Sequence, residues 1–223
     1  NVDIRNFSEV IKIDKENKKV LVKESNGKEY YEDYDTLLLS TGSNPFVPNM
    51  EGKDSHNVFT LWNIPDTDKI YNYIKENDPK VAVVAGGGFI GIEMAENLAE
   101  RNIKVILVEF ANQIMPPLDK DMAKIVENHV MSNGIDLHLG VGVDKIIENG
   151  KKVVLTNGQV IETDMTLLSI GVRANTAIAK DAGLELNQRG GVVVDETMKT
   201  SDPNIYAIGD MIEVTNKVNN LKT

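Results

Sequence analysis

The sequence predicts an α/β fold, a parallel sheet with helices on both faces followed by a β-meander. Three observations predict it. Apolar strand patterns at 80–85, 104–109 and 135–140 alternate with helical patterns at 89–101 and 120–133. Residues 142–162 then change into short strands broken by the turns ENGKK and TNGQ. Where the first strand gives way to helix, three glycines stand in a row at 86–88 and a fourth follows at Gly91.

The elements can be justified in order. EVIKIDKENKKVLVK, 9–23, reads as two strands around a polar turn. TLLLSTG, 36–42, is a buried strand running into a glycine turn. SNPFVPNMEG carries two prolines and predicts a loop without a regular element. Residues 65–77 have helical spacing, with Ile70, Tyr73 and Ile74 on one face. The helix at 120–133 has an aspartate to cap its start and Gly134 to stop it. DMTLLSIG, 164–171, returns to a buried strand, and ANTAIAKDAG predicts a short helix. GGVVVD and NIYAIGD read as two last short strands.

Composition bounds the function. The 223 residues suffice for one large domain or two small ones, and 41% hydrophobic residues can build a core. No run of about 18 apolar residues occurs, so no membrane-spanning helix is expected. Acidic residues outnumber basic ones 34 to 24, for a net charge of −10, which argues against a nucleic-acid partner. Any phosphate must therefore be held locally, by backbone N–H groups. The chain has no cysteine, which excludes disulfides, thiolate metal sites and a thiol nucleophile within these residues. His56, His129 and His138 lack metal-like spacing, and no metal site is expected. No signal peptide is visible, so a cytoplasmic location is the expectation. The chain opens on Asn1 rather than Met and stops at NNLKT without a finishing element, which reads as a piece of a longer protein.

Gly86, Gly88 and Gly91 form G-x-G-x-x-G between a strand and a helix. The first glycine permits the tight turn, the second lets a pyrophosphate approach the backbone, and the third lets helix and strand pack closely. The helix start at Phe89 and Ile90 then offers unpaired N–H groups and a partial positive charge to the diphosphate. Glu109, 21 residues after Gly88, closes the next strand. A carboxylate there accepts hydrogen bonds from adenosine ribose hydroxyls and repels a 2′-phosphate. The following FANQ supplies no Arg or Lys for one, so NAD(H) is preferred over NADP(H). The bland alternatives are a ligand-free glycine turn and an exposed carboxylate at a strand end.

Further stretches carry a family likeness. TLLLSTGSNP before the glycine motif and TSDPNIYAIGD after it resemble the two signature stretches of two-dinucleotide flavoprotein reductases, the FAD/NAD-dependent pyridine nucleotide-disulfide oxidoreductases. GGGFIGIEMAENLAERNIKVILVE, QIMPPLDKDMA and SIGVRANT look most like the branch of coenzyme A-disulfide reductase and NADH oxidase. The resemblance covers nearly the whole chain. It implies a Rossmann-like NAD-binding domain at 62–185 inserted in a partial FAD domain made of 1–61 and 186–223. It also implies an upstream FAD glycine motif, an upstream redox cysteine and a C-terminal domain that pairs the parent protein into a homodimer.

Residue roles carry over one at a time. Asp210 matches the aspartate that hydrogen-bonds the FAD ribityl chain, or else caps the following segment. Thr41 and Gly42 match the turn near the flavin nucleotide, or form a plain turn. Phe89 matches an apolar gate at the nicotinamide pocket, or packs under the first helical turn. Glu93, placed in that first turn, approaches the nicotinamide or simply suits the helix dipole. Gly171 matches a glycine against which the cofactor lies. Arg173 is a contact or a solvated surface group, and Ala174 replaces the proline usual after it. By this resemblance NADH passes a hydride to FAD, with the nicotinamide stacked on the flavin. Electrons then reach the cysteine and either coenzyme A disulfide or dioxygen. No catalytic residue is expected within the chain, which alone would bind NAD(H) and turn over nothing. A ferredoxin or rubredoxin reductase component and a non-catalytic nucleotide-sensing module are the alternatives.

Overall fold

The computed structural model describes residues 2–215 and 217–218. Asn1 and the closing NNLKT, on which the reading of a cut polypeptide rests, lie outside the described residues. In chain order the elements are β1 (Ser8–Asp14), β2 (Lys19–Glu24), β3 (Glu29–Asp33), β4 (Leu37–Leu39) and β5 (Ser43–Pro45). Then come β6 (Val58–Phe59), α1 (Ile64–Asn77), β7 (Val81–Ala85), α2 (Phe89–Glu100), β8 (Lys104–Glu109), α3 (Lys120–Ser132) and β9 (Asp136–Leu139). A second meander, β10 (Val143–Ile147), β11 (Lys152–Leu155) and β12 (Val160–Glu162), leads to β13 (Met165–Leu168). β14 (Val172–Ala174), α4 (Ala177–Asp181), β15 (Ile205–Ala207) and a 3-10 turn at Gly209–Met211 follow. Among the described residues no helix is long and apolar enough to cross a membrane.

The chain packs as two compact units, Pro45–Val172 and the segments on either side of it. The central unit holds a five-stranded parallel sheet in the order β6-β13-β7-β8-β9. Val58–Phe59 pairs with β13, so this unit begins upstream of the residue 62 read from the sequence.

Helices do not cover both faces of the sheet, as the alternation suggested. Ala82, Val84, Val105, Leu107, Met165 and Leu167 share a core with the helices. Their neighbours Val83, Ile106 and Val108 point the other way, onto Ile146, Val153, Leu155 and Ile161 of the meander. The reason is handedness. The steps β6 to β7, β7 to β8 and β8 to β9 all move the same way across the sheet, so right-handed crossovers leave their helices on one side. The meander fills the other.

Local signals explain most boundaries. Asn63 caps α1, its side chain accepting from the Asp66 N–H at 3.1 Å, with a proline in the first turn. Asp119 precedes α3 but makes no side-chain cap, correcting the sequence reading; its carbonyl accepts from Ala123 instead. Gly134, at φ 81°, follows the end of that helix in the left-handed region. Residues 190–195 form no strand, only isolated bridges at Val192, because Gly190 turns left-handed and the Gly191 N–H is taken by the Asn187 side chain. The proline-bearing loop does hold a regular element, the three-residue β5, whose Pro45 stands at the end of the strand. β3, EYYED, escaped the sequence reading because it is an edge strand with charged residues outward.

The flanking unit packs β1–β3, the parallel pair β4 and β15, and α4 around Ile13, Val20, Leu39, Ala179, Ile205 and Met211. In the central unit two buried side-chain atoms, Asn57 Oδ1 and Thr166 Oγ1, have no hydrogen-bond partner among the described residues. Thr166 faces the meander side of the sheet, fully buried, and its hydroxyl has no hydrogen-bond partner among the described residues. Thr166→Val keeps the shape and removes the unmet hydroxyl. It is expected to stabilise the protein by about 1 kcal/mol, a thermal midpoint roughly 3 °C higher by calorimetry.

Candidate functional site

The turn after β7 shows why it needs glycines, and each for a different reason. Gly86 sits at φ 109°, and a Cβ there would lie 2.3 Å from the Ser169 carbonyl oxygen. Gly91 is buried in α2, where a Cβ would meet the Gly86 carbonyl oxygen at 1.8 Å. Gly87, which the spacing rule treats as any residue, would press Ile114 at 2.7 Å. Among the described residues, Gly88 alone of the four has nothing within 4 Å of an added Cβ, and it has an extended backbone that any residue adopts. The protein therefore uses Gly86, Gly87 and Gly91 for its own packing and leaves the space above Gly88 empty. Gly88 is also the N-cap of α2 and provides no side-chain cap, so the helix presents free N–H groups at that point.

Glu109 is tied down at both oxygens. Oε2 accepts from the Gly87 N–H at 2.6 Å and Oε1 from the Ala111 N–H at 2.7 Å. A carboxylate has about four acceptor positions, so each oxygen keeps one for a ligand hydroxyl. The Met115 N–H donates back to the Gly87 carbonyl at 2.8 Å, clasping the loop after β8 onto the glycine turn. Ser169, at the end of β13, donates from Oγ to the Ala85 carbonyl at 2.9 Å and lies 3.3 Å from that of Gly86.

These groups line a crevice of about 530 Å³ at the carboxyl ends of β7, β8 and β13. That is the place where the chain order reverses: from β7 it runs outward to β8 and β9, and β13 returns on the other side of β7. Open α/β sheets bind ligands at such a switch point. The crevice is mostly apolar, and Glu109 is the one charged side chain among the described residues lining it. An anionic ligand there must rely on the α2 N–H groups and the helix dipole. Among the described residues no Arg or Lys lines it to hold a 2′-phosphate.

The structure brings together Gly86, Gly88, Phe89, Ile90, Glu109 and Gly171 on this crevice. Phe89 is 62% exposed on its rim rather than packed beneath the helix. Gly171 stands at φ 108° with open space beside it. Gly91 lies under the turn and does not line the opening. Glu93 is not in the first turn of α2, as the sequence suggested: the helix starts at Phe89, so Glu93 falls in the second turn, exposed and off the lining. Arg173 is likewise off the lining. Sequence reasoning missed Phe110, Pro116, Gly142 and Ser169. Phe110 had a signal, an aromatic directly after the acid; it is 76% exposed, and its ring lies 3.1 Å from where a Gly142 Cβ would stand. Pro116 comes from the loop after β8, and Gly142 and Ser169 come from distant segments.

Thr41, Gly42 and Asp210 meet in the flanking unit. β4 and β15 run parallel in register, Leu39 opposite Ala207, so the turns that follow them lie side by side. Ser43 Oγ donates to Asp210 Oδ2 at 3.2 Å. Asp210 is exposed, and its second oxygen has no donor among the described residues. Gly42 and Gly209 take left-handed backbone at φ 65° and 77°, which keeps both turns tight. The remaining carboxylate oxygen is an acceptor suited to a polyol hydroxyl.

The chain matches the family described as Pyridine nucleotide-disulphide oxidoreductase over residues 1–222. It is 40% identical over its whole length to an NADH oxidase of Methanocaldococcus jannaschii and 32% identical over 94% of its length to a coenzyme A disulfide reductase of Staphylococcus aureus. It spans 50% and 47% of those two proteins. The crystal structure of reduced Bacillus anthracis CoADR-RHD superposes on 97% of the chain with a TM-score of 0.93 at 50% identity, the chain covering 39% of that molecule. A glycine turn that guards an empty N-cap, an acid at the neighbouring strand end and this match along the sequence lead to one conclusion: the chain belongs to the pyridine nucleotide-disulphide oxidoreductase family.

Proposed function

We propose that the chain is the NAD(H)-binding part of a flavoprotein oxidoreductase. The Pro45–Val172 unit takes NADH, the flanking segments contribute to an FAD site, and the whole protein passes electrons on to a small disulfide such as coenzyme A disulfide, or to dioxygen. The relatives named NADH oxidase and coenzyme A disulfide reductase support the choice of acceptors. The same reading carries the homodimer and the cytoplasmic location. The observation that carries the nucleotide assignment is the open space at Gly88, at the uncapped start of α2 and beside Glu109.

When bound, NADH supplies a hydride and FAD accepts it. The chain's own residues bind and orient. The N–H groups at the start of α2 hold the pyrophosphate, and Glu109 accepts the ribose hydroxyls. Phe89 and Ile90 give the crevice an apolar rim that keeps water from its edge. Asp210 accepts a hydroxyl of the flavin's polyol chain. With no cysteine, these residues carry the nucleotide half of the reaction and no thiol step.

Gly88→Ala tests the assignment. A methyl there meets no protein atom, and only an N-cap preference is lost, so stability should change by less than about 1 kcal/mol. A methyl does stand where the pyrophosphate must approach, so NADH affinity by calorimetric titration should fall about tenfold or more. Unchanged NADH affinity in this variant would remove the assignment.

A further inference from the structure

A methionine sulfur acts as a hydrogen-bond acceptor between the two turns of the flanking unit. Met211 is fully buried in the core beside Leu39, Ile205 and Ala207. Its Sδ lies 3.3 Å from the Thr41 backbone nitrogen and 3.2 Å from Thr41 Oγ1. The hydroxyl has a single proton, and the Asn175 carbonyl oxygen is the stronger acceptor within its reach. The thioether is thus the acceptor for the Thr41 N–H, and among the described residues no other meets that group. The neighbouring Asp210 accepts from Ser43 two residues along. Two consecutive side chains of one turn therefore grip alternate residues of the other. The Met211 carbonyl is also committed, accepting from the Val192 N–H at 2.8 Å, which fixes the methionine backbone.

We propose that Met211 is a positioning residue for the flavin dinucleotide. Its sulfur sets the Thr41–Ser43 turn against Asp210, so that the free Asp210 oxygen is held in one place before the ligand arrives. This rests on the flavin reading given above. Core packing asks only for an apolar side chain of this size, which leucine supplies. The acceptor asks for sulfur. Leucine leaves the Thr41 N–H without a partner in a half-buried site, and the turn must open toward water to satisfy it.

The test uses the full-length protein with Met211→Leu, and Met165→Leu as a matched control. Met165 is equally buried, in the core of the central unit. FAD affinity is read by flavin fluorescence during titration of the apoprotein, and the thermal midpoint of the apoprotein is read beside it. Met211→Leu should weaken FAD binding about tenfold, the size of one hydrogen bond, with an apoprotein midpoint within about 3 °C of wild type. Met165→Leu should bind FAD as wild type does, and so should protein whose methionines are replaced by selenomethionine, which keeps an acceptor. FAD held equally well by Met211→Leu, or lost equally by both leucine variants, overturns the proposal alone. A wild-type protein that takes up no FAD overturns the flavin reading and the proposal with it.

Discussion

Gly86→Ala should cost the Pro45–Val172 unit about 3 kcal/mol or more, a thermal midpoint lower by about 10 °C. Two penalties add. The residue sits at φ 109°, where an L side chain is strained, and its new methyl would lie 2.3 Å from the Ser169 carbonyl oxygen and 2.7 Å from its carbon. Neither atom can rotate away, because both belong to the backbone leaving β13. Relief requires β7 and β13 to part at their carboxyl ends. There the Ser169 N–H donates to the Ala85 carbonyl at 2.8 Å, and Ser169 Oγ donates to the same carbonyl at 2.9 Å. Calorimetry of Gly86→Ala and Gly88→Ala side by side makes the point sharp. Two glycines two residues apart should give opposite results, one failing in stability and the other in ligand binding. Equal stability of Gly86→Ala and wild type would mean that the turn is not held as described.

Glu109→Gln should lower NADH affinity about a hundredfold, roughly 3 kcal/mol, and narrow the preference for NADH over NADPH. Removing the charge weakens the bonds to ribose hydroxyls and removes the repulsion of a 2′-phosphate. The amide has a second effect. Both carboxylate oxygens now accept from backbone N–H groups, at 2.6 Å from Gly87 and 2.7 Å from Ala111. Glutamine has only one oxygen, so its NH₂ must face one of those donors. The clasp between the glycine turn and the loop after β8 then opens on one side. Titration with both nucleotides separates the effects: loss of charge acts oppositely on NADH and NADPH, whereas an opened clasp weakens both. Unaltered affinity for NADH would show that Glu109 takes no part in ribose recognition.

The legibility of this chain differs from residue to residue. The positions of Gly86, Gly88, Gly91 and Glu109 were readable because they follow from short-range geometry: a strand end, a helix start and a fixed spacing between them. The helix at 120–133 was readable from its periodicity, whereas its aspartate cap was not, because composition shows which residue is present and not whether its side chain turns back. Glu93 was misplaced by one turn, since a helix boundary depends on where the glycine turn ends. Gly87 looked like a spacer, and only its neighbour Ile114 reveals that it too must be small. Gly142 and Ser169 reach the crevice from separate parts of the chain, and no local pattern ties them to the glycine turn.

Local chemistry alone determined that a strand–glycine–helix turn suited to an anion exists, that an acid ends the next strand, and that no thiol step belongs to these residues. Those properties depend on a few successive dihedrals and on residue type. Tertiary structure decided the rest: which glycine faces open space and which faces protein, which face of the sheet the meander covers, and that a buried sulfur joins two turns 170 residues apart. Each of these depends on atoms brought together by the crossover handedness and by side chains packed from distant strands, and neither is written in any short stretch of sequence.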